Sequence, residues 1–434
     1  MHAIGLTALA LFILGFGLVS KRIQTTPVTA PMAFVLFGLL VGARGLRLLD
    51  FGGEAQGVRL LAELTLVLVL FTDAARIDLT RLRREHNIPV RLLGIGLPLT
   101  IVAGLLAGLA LLSDLSVWEA LVLAVILAPT DAALGQAVVS SPRVPVRIRQ
   151  ALNVESGLND GVALPVLLGA ISLATMAEHA TDPGYWVRFA ALQVGLGPLV
   201  GAAVGYFGGR ALSWAMRREW MSGSFERLAA LGLALLAYAG AELVGGNGFI
   251  AAFAAGLTLG NTSRAVSSCL YEFAEAEGQL LTLLTFVVFG ALMVGPAIDA
   301  LSPAVVLYAI ASLTLVRLVP VALSLLGLRL ERETVVFLGW FGPRGIASIL
   351  YGLLILESAG LEHQDLLFAV TMLTVLLSVF LHGATAWPGV RWYGSWAERM
   401  RDEPDQPEMM PVSEMPVRLR HEEAPERGRP EGRG

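Results

Sequence analysis

The chain has 434 residues, of which 55% are hydrophobic and only 15% are charged, and its mean hydropathy is +0.69. Soluble domains carry about 25% charged residues, so this composition indicates a membrane protein. The net charge of −4 gives no support to a nucleic-acid partner, and the single cysteine, Cys269, excludes an internal disulfide framework.

Apolar segments of about 20 residues are long enough to cross a bilayer. The first such segment lacks a basic n-region and a clear cleavage site, so we predict a retained span and not a signal peptide. The loops between the segments are too short for a large soluble domain. The predicted spans number 13, at residues 3–19, 28–43, 58–75, 89–112, 117–140, 151–175, 187–213, 227–244, 248–261, 278–295, 301–327, 334–356 and 365–388.

Lys and Arg residues are concentrated in alternate loops, beginning with Lys21 and Arg22. Because cytoplasmic loops carry the excess of basic residues, this bias places the N-terminus outside and the C-terminus in the cytoplasm. From about residue 398 the composition shifts to Glu, Pro and Arg, which predicts a disordered cytoplasmic tail over residues 398–434.

The sequence also argues against several kinds of chemistry. A phosphate-cradling Gly loop is absent, so ATP is not the expected energy source. The 6 His residues do not cluster with the cysteine, so a zinc site is not expected either. We predict a protein that is not an enzyme and needs no cofactor.

Six charged residues nevertheless lie within apolar segments. Each costs about 2.5–3.5 kcal/mol at the bilayer centre, so they must face one another or a water-filled cavity. Acids outnumber bases in this set, which points to a bound cation or proton. The six are Asp73, Asp131, Glu155, Asp160, Arg317 and Arg344.

The first of these acids lies in "LVLFTDAARIDL", residues 68–79, near the cytoplasmic end of the third predicted span. Asp73 is either a further cation ligand, a charge that funnels cations inward, or an interfacial acid that pairs with Arg76.

Two apolar spans are interrupted by proline. In "LAPTDAALG", residues 127–135, Pro129 disturbs the helix just before Thr130 and Asp131. In "FGPRGIASI", residues 341–349, Pro343 and two glycines precede and flank Arg344. Broken spans at matching places in two halves indicate a transporter binding site. If spans 1–6 repeat as spans 8–13, the fifth maps onto the twelfth, and the odd offset of seven inverts the second repeat. An ordinary proline kink in each span is the alternative.

The stretch "LNVESGLNDGVALP", residues 152–165, is polar within an apolar span. On a helix, Ser156 and Asp160 lie on one face, whereas Glu155 points about 140° away from Asp160. Asp160 and Ser156 can therefore offer hard oxygen ligands to a small cation. Glu155 needs a basic partner on another helix, and Arg317 of "LTLVRLVPV" has no acid within its own span. A polar face filled by internal hydrogen bonds is the alternative.

These segments resemble the sodium/proton antiporters of the cation:proton antiporter family, in the branch that carries Asn-Asp. The likeness rests on "ESGLNDGVALP", "APTDAAL", the Arg of "LVRLVPV" and "GPRGIAS", and it covers nearly all of residues 1–390. It implies an all-α membrane protein of about 13 helices with inverted repeats and two crossed discontinuous helices. It also implies a homodimer in the inner or plasma membrane, in contact with lipid.

The family organisation implies interface helices over 1–76, transport-core helices over 89–175, linker and interface helices over 187–295, and a second transport-core group over 301–388.

The resemblance also implies roles for individual residues. Asp160 would alternately carry a proton or a cation, and Asn159 stands where the electrogenic branch has another Asp. The tenth span, "LLTLLTFVVFGALMVG", has no Lys where electrogenic relatives place one, so electroneutral exchange of one cation for one proton is expected. The implied Na⁺ ligands are Asp160, Ser156, Thr130 and Asp73. Residues at the ion site or helix crossing are Asn159, Asp131, Pro129, Pro343 and Arg344, and Glu155 and Arg317 form an internal ion pair.

Three other readings stay open on the residues alone. A sodium-coupled symporter could use the same inverted-repeat fold. An intramembrane aspartic protease could use Asp131 and Asp160, but the Gly-x-Gly-Asp and Tyr-Asp patterns expected there are missing. A channel or gradient sensor would lack obligatory coupling. The resemblance makes Na⁺ the expected cation, and the motifs leave Li⁺ and K⁺ open.

Overall fold

A computed structural model describes residues 3–23, 26–48, 55–84, 87–131, 133–175, 184, 188, 190–263, 266, 278–357, 360–400 and 406–410. Almost all of the described chain is helical. The helices are α1 (Ala3–Ile23), α2 (Ala30–Val41), α3 (Ala55–Ala75), α4 (Leu79–Arg84), α5 (Asn87–Leu111), α6 (Val117–Ile126), α7 (Gln136–Val139), α8 (Val146–Thr175), α9 (Gly197–Arg217), α10 (Gly223–Leu243), α11 (Gly248–Thr262), α12 (Gln279–Asp299), α13 (Pro303–Ser324), α14 (Arg332–Trp340), α15 (Ile346–Glu357) and α16 (Gln364–Met400).

Each of the thirteen predicted spans contains helix in this structure. Within the described residues, seven helices are long and apolar enough to cross a membrane, and four shorter helices are also apolar. The number of spans stays a prediction, because length and composition do not place a bilayer. The seven long helices are α1, α5, α8, α10, α12, α13 and α16.

Two of the predicted spans are interrupted in the structure. The fifth divides into α6 and α7, with non-helical backbone over residues 127–131 and 133–135, and the twelfth divides into α14 and α15 around residues 341–345. The proline in each break lacks a donor and crowds the preceding turn. The breaks touch, because the Asp131 N–H donates to the Pro343 carbonyl oxygen over 2.8 Å. The ends of four half-helices therefore meet at one place in the fold.

Glycines bring α9, α11 and α3 into backbone contact. A Cβ added at Gly201 or Gly205 would overlap the main chain of α11, and one added at Gly256 or Gly260 would overlap the main chain of α3. Small residues at helix interfaces allow such close approach in membranes, where the hydrophobic effect does not drive helices together. These three helices form a tightly packed layer beside the polar interior.

The C-terminal helix is longer than the predicted span. α16 continues to Met400, beyond residue 388 and beyond the predicted start of the tail at 398. Residues Pro407–Met409 form a short 3-10 turn in which Glu408 is fully buried and accepts a hydrogen bond from the Glu331 N–H. This part of the predicted tail packs against the segment before α14, and the rest of residues 401–434 lies outside the described residues.

Candidate functional site

The polar stretch of α8 faces the interior of the helical bundle. Glu155, Ser156, Asn159 and Asp160 are all buried, and Asp160 has an exposed fraction of 7%. Pro165 lies within the same helix. A run of polar groups this deep in an apolar chain is costly unless its members are partnered or bind an ion.

Hydroxyl and amide groups join α8 to the break after α6. The Thr130 and Ser156 hydroxyl oxygens are 3.0 Å apart. The Asn159 amide nitrogen donates to the Thr130 hydroxyl over 2.8 Å and to its main-chain oxygen over 3.2 Å. The Asn159 side-chain oxygen is buried and has no hydrogen-bond partner among the described residues. The structure thus brings Thr130, Ser156 and Asn159 together. On α8, Ser156 lies one turn before Asp160, and Asn159 directly precedes it.

Helix α3 passes the same part of α8. A Cβ added at Gly157 would meet the main-chain oxygen of Asp73 at 3.7 Å and the Ile77 side chain at 3.5 Å. Asp73 is half-buried. Its main chain lies beside Gly157, which is three residues before Asp160 on α8. The fold brings α3, α8 and the break after α6 together around the Asp160 region.

The Asp131 carboxylate is engaged at the start of α15. One oxygen accepts from the Ile346 N–H over 2.8 Å, and the other accepts from the Ala133 N–H over 2.7 Å. An acid that caps a helix N-terminus satisfies an otherwise unpaired donor and complements the positive end of the helix dipole. Asp131 therefore fixes the two breaks to each other.

Arg344 complements the opposite helix ends. Its fully buried guanidinium donates to the carbonyl oxygen of Leu127 over 2.7 Å and to that of Gly342. Leu127 follows the last residue of α6 and Gly342 follows the end of α14, and cations are stabilised at helix C-termini. The main-chain N–H of Arg344 donates to the Ser378 hydroxyl over 2.7 Å. The positive charge of Arg344 is thereby balanced by the carbonyl dipoles at the C-terminal ends of α6 and α14.

Glu155 forms a buried ion pair with Arg317 of α13. The Glu155 oxygen Oε1 lies 2.6 Å from Arg317 Nη1, and both side chains are almost completely inaccessible. Gly342 lies against this pair, since a Cβ there would come within 2.7 Å of Arg317 Nε and 2.9 Å of the Thr130 methyl group. The ion pair and the Thr130 network are therefore adjacent, on different faces of α8.

Replacing Gly345 with Ala should disrupt the contact between the breaks. A Cβ at this position would overlap the Asp131 carboxylate oxygen that caps α15. Loss of a cap costs about 0.5–2 kcal/mol, so we expect a lower midpoint of thermal unfolding in detergent. Gly169→Ala on α8 is the matched control, because an added Cβ there meets nothing within 4 Å. Equal midpoints for the two variants would contradict this role of Asp131.

Several polar residues of the site escaped the sequence analysis. Tyr351 donates to the main-chain oxygen of Asp160, Ser348 donates to that of Ile126, and Ser378 accepts from Arg344. Each is a single hydroxyl in an apolar segment, and such residues often bond within their own helix. These three hydroxyls differ from such residues because they contact another segment, at a helix break or at the Asp160 backbone. Only the tertiary structure shows those contacts.

Comparisons with known proteins agree on the nature of the chain. Residues 8–392 match the family described as "Sodium/hydrogen exchanger, transmembrane". The K(+)/H(+) antiporter NhaP of Alkalimonas amylolytica is 28% identical over 399 residues, which cover 90% of this chain and 67% of the relative. An Na(+)/H(+) antiporter of Schizosaccharomyces pombe is 25% identical over 396 residues, 82% of this chain and 83% of that protein.

The chain spans about two thirds of the length of the K(+)/H(+) antiporters it matches, 67% for the Alkalimonas protein and 65% for one from Shewanella baltica. The solved structure of the sodium proton antiporter MjNhaP1 from Methanocaldococcus jannaschii has the same fold, with a TM-score of 0.73 at 20% identity over 90% of this chain and 99% of the other. The match to the family covers nearly the whole chain, and we conclude that this multi-pass membrane protein belongs to the sodium/hydrogen exchanger family.

Proposed function

We propose that this chain exchanges a monovalent cation for a proton across the membrane, with Asp160 carrying each in turn. The observation that carries the proposal is a buried carboxylate, Asp160, one helical turn after Ser156, whose hydroxyl lies 3.0 Å from that of Thr130. Its relatives are named as antiporters of Na⁺ or K⁺ with protons, which supports the same class of reaction here.

The coupling follows from the cost of a buried charge. A carboxylate in a site of low dielectric is stable only when a proton or a cation neutralises it. Both occupants use the same oxygen atoms, so one displaces the other. The loaded site is neutral and can move across the membrane with its bundle, whereas the empty charged site cannot. Exchange is therefore obligatory, which separates this mechanism from a channel.

We propose that exchange is electroneutral, with one cation for one proton. Asn159, next to Asp160, has an amide that carries no charge, and its nitrogen is already committed to Thr130. The Asp131 carboxylate accepts two backbone N–H groups, so both of its oxygens are committed to the contact between the breaks. Asp160 is then the carboxylate that we propose to exchange its proton for the cation during the cycle.

The cation site that we propose consists of Asp160, Ser156 and Thr130, with Asp73 of α3 as a further oxygen ligand. Carboxylate and hydroxyl oxygens are hard ligands, which suit alkali-metal cations. Glu155 and Arg317 act as a structural pair that holds α8 against α13, and Pro129, Pro343 and Arg344 form the helix crossing. The named relatives transport either Na⁺ or K⁺, so both ions are candidates.

We propose that residues 89–175 and 301–388 form the moving transport core, while 1–76 and 187–295 form the scaffold. The polar contacts between breaks lie within the first group, and the glycine contacts of α9, α11 and α3 lie within the second. A homodimer in the inner or plasma membrane, with the N-terminus outside, completes the proposal. Of the residues of α1, only Gly5 is buried, which leaves an apolar face for lipid or a second copy.

Proteoliposomes with an acidic lumen and a lumenal pH dye test the proposal. We expect Na⁺, K⁺ or Li⁺ added outside to dissipate the gradient, with a rate that does not change when an ionophore clamps the voltage at zero. A rate that follows the voltage would contradict electroneutral exchange. If none of the three cations dissipates the gradient, the antiporter proposal fails and a symporter or sensor on this fold replaces it.

A further inference from the structure

We infer that Tyr351 of α15 is a positioning residue for the ion site and sets the cation affinity of Asp160. This inference rests on the proposed function of Asp160. The Tyr351 side chain has an exposed fraction of 0%, and its hydroxyl donates to the main-chain oxygen of Asp160 over 3.0 Å. The contact joins two different helices at the residue that is proposed to bind the ion.

The hydrogen bond lies beside a carbonyl of α8 that has no helical donor. Pro165 has no N–H, so the carbonyl of Gly161, four residues earlier, loses its helical donor. Gly157 and Gly161 lie one on each side of Asp160, and glycine loosens a helix relative to other residues. The backbone that carries Asp160 therefore has less support from its own helix than the rest of α8. The Tyr351 hydroxyl bonds to the adjacent carbonyl, that of Asp160, and so adds support from a neighbouring helix at this point.

The helix that supplies this donor is itself held in place. α15 begins at Ile346, whose N–H is capped by Asp131 over 2.8 Å. The Ser348 hydroxyl donates to the Ile126 carbonyl oxygen over 2.9 Å, so the first turn of α15 is also tied to the end of α6. Tyr351 lies five residues after Ile346, about 7.5 Å along the helix axis. Tyr351 therefore connects the backbone of Asp160 to a helix whose position is fixed by the contact between the breaks.

The two substrates differ in how much they depend on this positioning. A proton binds to one oxygen atom and tolerates small displacements of the carboxylate. A bare cation needs several oxygens at fixed distances at the same time. Displacement of Asp160 from Ser156 and Thr130 therefore weakens cation binding more than proton binding. Tyr351 is a determinant of the balance between the two substrates and does not itself touch either one.

Tyr351→Phe removes only the hydroxyl and tests this inference. Tyr308→Phe on α13 is the matched control, because Tyr308 has the same 0% exposed fraction and its hydroxyl donates to the main-chain oxygen of Gly104 over 3.3 Å, on α5. One hydrogen bond corresponds to about a five- to tenfold change in affinity. We expect Tyr351→Phe to raise the KM for the cation by that factor with kcat nearly unchanged, and Tyr308→Phe to change neither.

The pH profile provides a readout that simple destabilisation would not move. Protons inhibit at acid pH because they compete with the cation for the site. At a saturating cation concentration, a more weakly bound cation is displaced at a lower proton concentration. The acid limb of Tyr351→Phe should therefore lie at higher pH than that of the wild type, by up to about one pH unit for a tenfold affinity loss. An unchanged KM and an unchanged acid limb would overturn the inference.

Hydrogen–deuterium exchange of the detergent-solubilised protein separates this inference from the proposed function. We expect Tyr351→Phe, and not Tyr308→Phe, to increase deuterium uptake in the peptides that span 157–166. Faster uptake supports the positioning role whether or not the wild type exchanges cations for protons. Uptake equal to that of the wild type overturns it. Absence of exchange by the wild type would instead refute the proposed antiport.

Discussion

We expect Asp160→Asn to abolish cation–proton exchange and to leave the protein folded. The substitution keeps the size of the side chain and removes its charge and its titratable proton, so neither substrate can be carried. Asp160 is buried in α8, and the Thr130, Ser156 and Asn159 network beside it does not depend on its charge. We expect transport in proteoliposomes to fall to the level of protein-free liposomes. Because burial of an unneutralised carboxylate is costly, the midpoint of thermal unfolding should stay equal or rise.

The control for this variant is Asp114→Asn, at an exposed position in the loop before α6. It removes the same charge without touching the bundle interior, and transport should remain at the wild-type rate. Cation-dependent stabilisation adds a second measurement, since Na⁺, K⁺ or Li⁺ should raise the unfolding midpoint of Asp114→Asn but not of Asp160→Asn. Substantial transport by Asp160→Asn would refute its role as the shared carrier of proton and cation.

We expect Arg317→Met to destabilise the protein by about 3–5 kcal/mol, because it leaves the buried Glu155 carboxylate without its counter-charge. The pair is separated from water on all sides, so solvent cannot replace the lost contact. We expect lower yields of folded protein and a clear decrease in the free energy of unfolding in a denaturant titration. Arg317→Lys should recover only part of this loss, because an ammonium lacks the planar fork of a guanidinium.

The double variant Glu155→Met with Arg317→Met separates a structural pair from a functional one. Replacing a buried ion pair with apolar residues of similar volume is often neutral or stabilising. We expect the double variant to unfold at a higher denaturant concentration than Arg317→Met alone. Recovery of both folding and transport would identify the pair as structural. A double variant that is no more stable than the single one would contradict the ion pair as the cause of the destabilisation.

The sequence was informative where chemistry depends on helical periodicity. The 140° separation of Glu155 from Asp160 predicts different partners for the two acids, and in the structure Glu155 faces Arg317 while Asp160 lies near Ser156 and Tyr351. The prolines at 129 and 343 predict interruptions that the structure also contains. Family membership and antiporter relatives agree with the resemblance seen in these motifs.

Other features were not accessible from local patterns. The engagement of Asp131 with the start of α15 depends on two segments more than two hundred residues apart. Glu408 lies in a stretch whose composition is typical of a tail, yet its side chain is fully buried against the segment before α14. Composition reports the average tendency of a segment, whereas a single buried contact depends on the surface that the rest of the chain presents.

The late position of Arg317 has a consequence for how the protein is made. During translation Glu155 enters the membrane in α8 long before α13 emerges from the ribosome, so the nascent chain holds a buried acid whose counter-charge does not yet exist. Tyr351 and Ser378, which bond to the Asp160 region and to the second break, arrive later still. Assembly of the polar interior therefore waits for the C-terminal helices, while the glycine contacts of α9 with α11 and of α11 with α3 need only the earlier ones. A chain released before α13 would lack the counter-charge of Glu155, and the full cost of that buried acid would then oppose its insertion.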